Sequence, residues 1–195
     1  MRSRVCFNKY LIIAVIFQLC AGGNVYAGEV QHISVEYKDG VYFVEFDALV
    51  FAEQPRIYAL LTDYGHLYRL NDTITESSVI SSKSDPVIKC RLVLHSCILF
   101  FCHDAVMVEN VQENGRDEVI ASVDPVMSDF SSGQSVWKIF SAGSGLTSIK
   151  LRRHLKPLFW VPPIIGPWAI KKRMLQELPV MLTRLEQYAS SQNGT

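Results

Sequence analysis

No stretch of this sequence carries a catalytic signature. Gly-x-Ser-x-Gly, His-Glu-x-x-His, a glycine-rich phosphate loop and Cys-x-x-Cys are all missing. A dominant charge is missing too, since 19 basic residues meet 19 acidic ones. Without an overall basic field, nucleic acid is not an expected partner. Nothing points to a cofactor, and no internal repeat or low-complexity linker divides the chain. The run from Leu11 to Leu19, interrupted only by Gln18, is too short to favour a stable membrane span.

What is present at the start reads as an export signal. Arg2, Arg4 and Lys9 precede the apolar run, and Val25-Tyr26-Ala27 gives a small-x-small cleavage site before Gly28. Residues 1–27 are therefore expected to be a signal peptide, with retention as an uncleaved anchor the alternative. Phe17-Gln18-Leu19 lacks the small residues that precede a lipidated cysteine, so Cys20 is not read as a lipid anchor. Removal of the leader and its three bases leaves 168 residues, with 16 bases against 19 acids. That length fits one domain, over residues 28–190, with 191–195 a disordered polar tail. The exporting cell is expected to be bacterial and the destination a periplasm. The oligomeric state is not legible in the sequence.

The order of elements is the strongest signal. His32 to Tyr37 reads as an extra strand before the Asp39-Gly40 turn. Val41 to Phe51 alternates, with Tyr42, Val44, Phe46, Ala48 and Val50 on one face and Glu45 and Asp47 on the other. Pro55 opens a short helix whose apolar side is Ile57, Leu60 and Leu61, and Tyr64 to Leu70 reads as a second short helix. Strands follow near Ile74–Ser82, Val87–Cys97, Cys102–Gln112, Glu118–Asp124, Ser135–Ser141 and Leu146–Leu155, punctuated by Asp85-Pro86, Asn114-Gly115 and Gly143-Ser144-Gly145. A long helix from about Pro167 closes the chain. Its apolar face is read as Trp168, Leu175, Leu178, Met181, Leu182, Leu185 and Tyr188, with a kink expected at Pro179. Strands that finish on one helix predict an α+β antiparallel sheet wrapped around that helix, and such a wrap can enclose an apolar cavity.

From Val41 to Tyr188 this pattern resembles the START-like (SRPBCC) superfamily, and within it the polyketide cyclase/dehydrase and coenzyme Q-binding-like, lipid-transport branch. The resemblance rests on the first strand and on Pro55-Arg56-Ile57-Tyr58-Ala59-Leu60-Leu61-Thr62-Asp63-Tyr64. It continues with the meander bearing Trp137 on its penultimate strand, and with the closing helix. It implies a helix-grip fold, with a curved antiparallel sheet of about seven strands around a long C-terminal helix. It also implies a hydrophobic cavity of the kind that holds lipids, quinones, polyketides or sterols, and only a few enzymes. Fold alone does not assign a function.

On that reading the ligand-lining residues are Phe46, Leu92, Met107, Val123, Trp137, Ile149 and Leu151 from strands and Met174, Leu178 and Met181 from the helix. The alternative for each is plain core. Two apolar stretches occupy turns that would ordinarily be polar, Ile98 to Phe101 and Phe159 to Trp168. With the Pro125 to Gly133 loop they fall at one end of the meander. A rim of Leu99, Phe100, Phe101, Phe159, Trp160 and Trp168, with Lys171, Lys172 and Arg173 beside it, is expected there. It would either contact a membrane transiently or fold inward as a plug. Three cations early in a helix also oppose its dipole and favour an anionic surface.

Cys97 and Cys102 flank a four-residue turn and are expected to form a disulfide in an oxidising compartment, with Cys90 free and buried. His95, Cys97, Cys102 and His103 are zinc-ligand types, but the short Cys-x-x-Cys spacing is absent and no metal is expected. No catalytic residue is assigned. Arg153, His154, Glu109 and Asp124 are the polar strand residues that could enter a cavity, against a solvated outer face shared by Lys150, Arg152 and His154. Asn71-Asp72-Thr73 matches a glycosylation sequon, relevant only in a eukaryotic pathway. The expected function is binding or transfer of an apolar small molecule or lipid. The rivals are a polyketide cyclase or dehydratase and a cavity-less interaction module.

Overall fold

The computed structural model describes residues 28–82, 85–98, 101–162 and 165–191. The leader over residues 1–27 lies outside them. The alternating run of apolar residues becomes strand β2 (Val41–Val50), and all five of its even-numbered apolar side chains from Tyr42 to Val50 are buried. The preceding segment is a full strand, β1 (Glu29–Lys38), joined to β2 by a two-residue turn. Asp39 and Gly40 both have positive φ there, 53° and 82°, the combination that a tight twisted hairpin requires.

Helix α1 (Gln54–Leu61) follows, with Pro55 in the first turn, where a missing N–H costs nothing. The expected second short helix is only a 3-10 turn at Leu67–Arg69. Then β3 (Ile74–Val79), β4 (Ile88–Ile98), β5 (Phe101–Asn114), β6 (Glu118–Val123), β7 (Phe130–Gly143) and β8 (Leu146–Pro157) run as an antiparallel meander. Strand β2 pairs with β8, so the order is β1-β2-β8-β7-β6-β5-β4-β3. The sheet thus has eight strands instead of about seven, because β1 is a complete edge strand.

Helix α2 (Gly166–Ser191) is continuous through Pro179 and packs against β1, β2, β4 and α1. Among the described residues no helix is long and apolar enough to cross a membrane. Antiparallel order puts the β4–β5 hairpin, the β6–β7 loop and the β8–α2 loop at one end, the mouth. Helix α1 covers the other end. There Gln54 Nε2 donates to Asp117 Oδ1 at 2.8 Å and to the Ile139 carbonyl at 3.2 Å. Tyr64 Oη donates to Glu113 at 2.7 Å, and Tyr58 bonds the same carboxylate.

The closed end holds a packed core. Phe46, Ala48, Val50, Ile57, Ile139 and Ile149 meet Met181, Leu182, Leu185 and Ala189 of α2. Burial of such side chains contributes about 1.5–3 kcal/mol each, before conformational entropy is charged. The helix face differs from the periodic reading at several positions. Trp168 and Tyr188 are exposed, while Glu177 is buried.

Candidate ligand cavity

Toward the mouth the same sheet and helix separate. A cavity of about 400 Å³ opens between them. Its sheet wall is Tyr42 and Val44 of β2, Leu92 and Leu94 of β4, Ala105 and Met107 of β5, and Leu151, Arg153 and Leu155 of β8. Its helix wall is Ile170, Arg173, Met174, Glu177 and Leu178. The register explains the sheet wall, since Tyr42 lies opposite Leu155, Val44 opposite Arg153 and Leu92 opposite Met107. Alternation therefore turns Arg153 inward, while Arg152 and His154 face out. Arg152 makes a paired contact with Asp47 on the outer face, at 2.6 and 3.1 Å.

The polar groups of this wall are few and particular. Arg153 Nη2 donates to Glu109 Oε1 at 3.2 Å and also approaches Met107 Sδ at 3.1 Å. Arg173 Nη2 pairs with Glu177 Oε1 at 2.7 Å. Both cations are thus matched by a carboxylate. Four buried side-chain polar atoms among the described residues have no hydrogen-bond partner: Tyr42 Oη, Arg153 Nε, Glu177 Oε2 and Ser77 Oγ. The first three belong to residues that line the cavity. Burial, with Tyr37 as a lesser influence, pushes the Tyr42 phenol up to about 12, so it remains a neutral hydroxyl.

At the mouth, Phe159 turns inward. Its ring lies 4.6 Å from that of His103 and packs edge-on against Phe130 at 5.6 Å. Trp160 lines the opening yet is 74% exposed, and Trp168 is 62% exposed with Lys172 Nζ 5.2 Å above its ring. Leu158, Ile165, Val126 and Met127 add exposed apolar surface at this end. Lys171, Lys172 and Arg173 are exposed. Leu99 and Phe100 lie outside the described residues, as does the side chain of Phe101.

Cys97 and Cys102 face each other across the hairpin and are joined, S–S 2.01 Å, and Cys90 is free and buried. His95 Nδ1 bonds Asp104 at 2.5 Å and His95 Nε2 lies 3.4 Å from Cys97 Sγ. His103 faces the other side of the hairpin, opposite Ser96, so the four zinc-type residues do not converge. Zinc binds the thiolate form of cysteine, and these two sulfurs are bonded to each other.

Of the residues read from sequence as ligand-lining, Leu92, Met107, Leu151, Met174 and Leu178 line the cavity. Phe46, Ile149 and Met181 sit instead in the packed core at the closed end, because their register positions lie beyond the point where sheet and helix converge. Val123 belongs to the core beneath β5 to β7, and Trp137 packs against both core clusters. Tyr42 and Glu177 were missed. Tyr42 shares the alternation of β2 and was readable as inward. Glu177 carries no such signal, since a charge on a helix is ordinarily solvated.

No protein-family model and no curated protein matches the chain. Solved structures do. The protein TTHA0849 from Thermus thermophilus superposes with a TM-score of 0.62 at 16% identity, covering 78% of this chain and 99% of that one. A START superfamily protein from Mycobacterium smegmatis gives 0.60 at 18% identity, covering 76% and 97%. The ZhuI aromatase/cyclase from Streptomyces sp. R1128 gives 0.56 at 10% identity, covering 77% and 94%. With the strand order, the wrapped closing helix and the cavity between them, these likenesses show that the chain has a START-like, helix-grip fold.

Proposed function

We propose that this chain is an exported protein that binds or transfers an apolar ligand, such as a lipid, quinone or polyketide-like molecule. The observation that carries the reading is the largely apolar cavity between the sheet and the mouth half of α2. A ligand that hides roughly 200 Å² of apolar surface there gains about 5 kcal/mol before the costs of ordering.

The mouth supports transfer at a membrane. Trp160 and Trp168 are rings suited to a headgroup interface, and Lys171 and Lys172 supply charge complementary to anionic lipid. Docking there would let a ligand enter without crossing water. Trp160→Ser is expected to reduce sedimentation with phosphatidylglycerol-containing vesicles severalfold while leaving the melting temperature unchanged. Unaltered vesicle binding would sink membrane docking.

Export is supported by the leader pattern, whose cleavage site precedes Gly28. The Gly28 nitrogen lies 2.6 Å from Glu186 Oε2, and a side chain at this position would meet Glu186 Oε1 at 2.8 Å and the Leu49 carbonyl at 2.9 Å. Glu186 Oε1 also accepts from the Phe51 N–H at 2.8 Å. Cleavage before Gly28 would place a cationic amine on this carboxylate. Glu186→Gln is therefore expected to cost the processed protein about 1–2 kcal/mol in urea unfolding, and N-terminal sequencing of the exported protein should begin at Gly28.

A cyclase or dehydratase is the second reading. It is favoured by the inward Arg153 and Glu177 and by the fold shared with an aromatase/cyclase. A bound compound returned unchanged after incubation would exclude it. An interaction module requires a filled core, and the cavity gives that reading no support.

A further inference from the structure

We infer that the hairpin at the mouth carries a thiol–disulfide exchange site, with Cys102 as the sulfur attacked, Cys97 as the leaving sulfur and a dithiol as the co-reactant. This goes beyond the cavity reading and does not depend on what the cavity holds. The residues involved form one block. In the β4–β5 register His95 lies opposite Asp104 and Cys97 opposite Cys102. Alternation puts these four side chains on one face of the hairpin, opposite to the face of Leu94 and Ala105. All four residues are exposed, and Cys102 also borders the cavity mouth. The nearest nitrogen of His95 and the two sulfurs lie within 4.8 Å of one another.

Exposure makes a disulfide exchangeable, because an attacking thiolate needs access to a sulfur. The hairpin does not need the bond to keep its shape. Its register runs without a break from Ile88 opposite Val111 to Ile98 opposite Phe101.

His95 makes the two sulfurs unequal. Its Nδ1 bonds Asp104 Oδ1 at 2.5 Å, and its Nε2 lies 3.4 Å from Cys97 Sγ. An ionised carboxylate only accepts, so Nδ1 carries its hydrogen and Nε2 is left facing the sulfur. A proton on Nε2 sets a positive charge against Cys97. A thiolate beside a histidinium is stabilised, and a stabilised thiolate leaves faster. Asp104 acts through His95 and is a positioning residue.

A thiolate of the dithiol attacks Cys102 Sγ. One S–S bond forms as the Cys97–Cys102 bond breaks, and the electron pair leaves on Cys97 beside His95. The second thiol gives its proton to solvent and attacks its own partner sulfur in the mixed disulfide. Cys102 is released and takes a proton. The protein gains two electrons and two protons, and the dithiol loses both as it closes to a disulfide. Cys90 takes no part, since its thiol is buried and burial pushes it up to about 12.

Reduced glutathione, a monothiol, arrests the exchange at the mixed disulfide. The purified, folded protein is treated with it at neutral pH in the presence of EDTA, quenched with iodoacetamide and mapped by peptide mass spectrometry. Glutathione on Cys102 with alkylation of Cys97 is expected to exceed the reverse pattern about tenfold, with Cys90 unlabelled. Dithiothreitol is expected to open the disulfide about tenfold faster than in His95→Gln. Asp104→Asn is expected to level the adduct ratio, which a merely structural role would leave unmoved. Equal division of glutathione between the two cysteines, or an unchanged rate in His95→Gln, would overturn the assignment of Cys97. A disulfide that neither thiol opens without denaturant would overturn the exchange site itself. The adduct map is read on the unaltered protein, so it decides the matter even where a variant fails to fold.

Discussion

Helix α2 meets one sheet in two different ways. From Met181 to Ala189 it lies on β1, β2 and α1, and the facing side chains interlock with Met181, Leu182, Leu185 and Ala189 all buried. From Ile170 to Leu178 it faces residues of β2, β4, β5 and β8 across the cavity. The strands alternate identically in both halves, since β2 points Phe46, Ala48 and Val50 into the packed half and Tyr42 and Val44 into the hollow one. The difference lies in the shape and polarity of the side chains. In the packed half they are apolar and close on one another. In the hollow half an arginine on β8 and a glutamate on α2 face inward, and each must keep a polar environment, which opposes collapse of the gap.

The comparison would break most visibly under truncation. Leu185→Ala removes a fully buried side chain from the packed half and is expected to cost about 2–5 kcal/mol in urea unfolding, while Met174→Ala on the cavity wall is expected to cost about 1 kcal/mol or less. Equal losses would mean that the hollow half is packed in solution.

Enlargement sharpens the contrast in the opposite direction. Ala48→Leu overpacks the core and is expected to destabilise by about 1–3 kcal/mol. Ala105→Leu projects into the cavity, so stability is expected to change little while uptake of a pyrene probe falls about tenfold or more. Retained uptake would place the probe elsewhere.

The outer face of the same strands sets the smallest effect. A hydrogen bond from Arg152 holds the Asp47 carboxyl below the usual carboxylate range. Its stabilising contribution is present above the unfolded value, about 3.9, and is lost as pH falls through the lower folded value. Asp47→Asn is expected to cost about 1 kcal/mol or less at neutral pH, because Arg152 is largely solvated, and the cost should vanish in strong acid. A pH series of melting temperatures for both proteins checks this.

Much of this architecture is legible in the sequence. The alternation from Tyr42 to Val50 defines β2, and turn residues such as Asn114-Gly115 place the meander. The apolar helix face from Leu178 to Leu185 identifies the element that the sheet grips. The boundary between packed and hollow halves is not legible, because Phe46 and Val44 look alike in one strand and only three-dimensional convergence distinguishes them. The polar site is hidden for a related reason. On β8 the alternation of Leu151, Arg153 and Leu155 against Lys150, Arg152, His154 and Lys156 puts Arg153 on the inward face, but its ion pair with Glu109 on β5 emerges only from the folded sheet. Glu177 occupies an otherwise apolar helix face with Arg173 one turn before it, a pair that reads in sequence as ordinary surface charge.

Native mass spectrometry of the purified protein, with gentle extraction of whatever it carries, addresses the binding claim directly. The expected result is an added mass that extracts as an apolar molecule. A protein that is empty and that also fails to take up a pyrene-labelled lipid would contradict it.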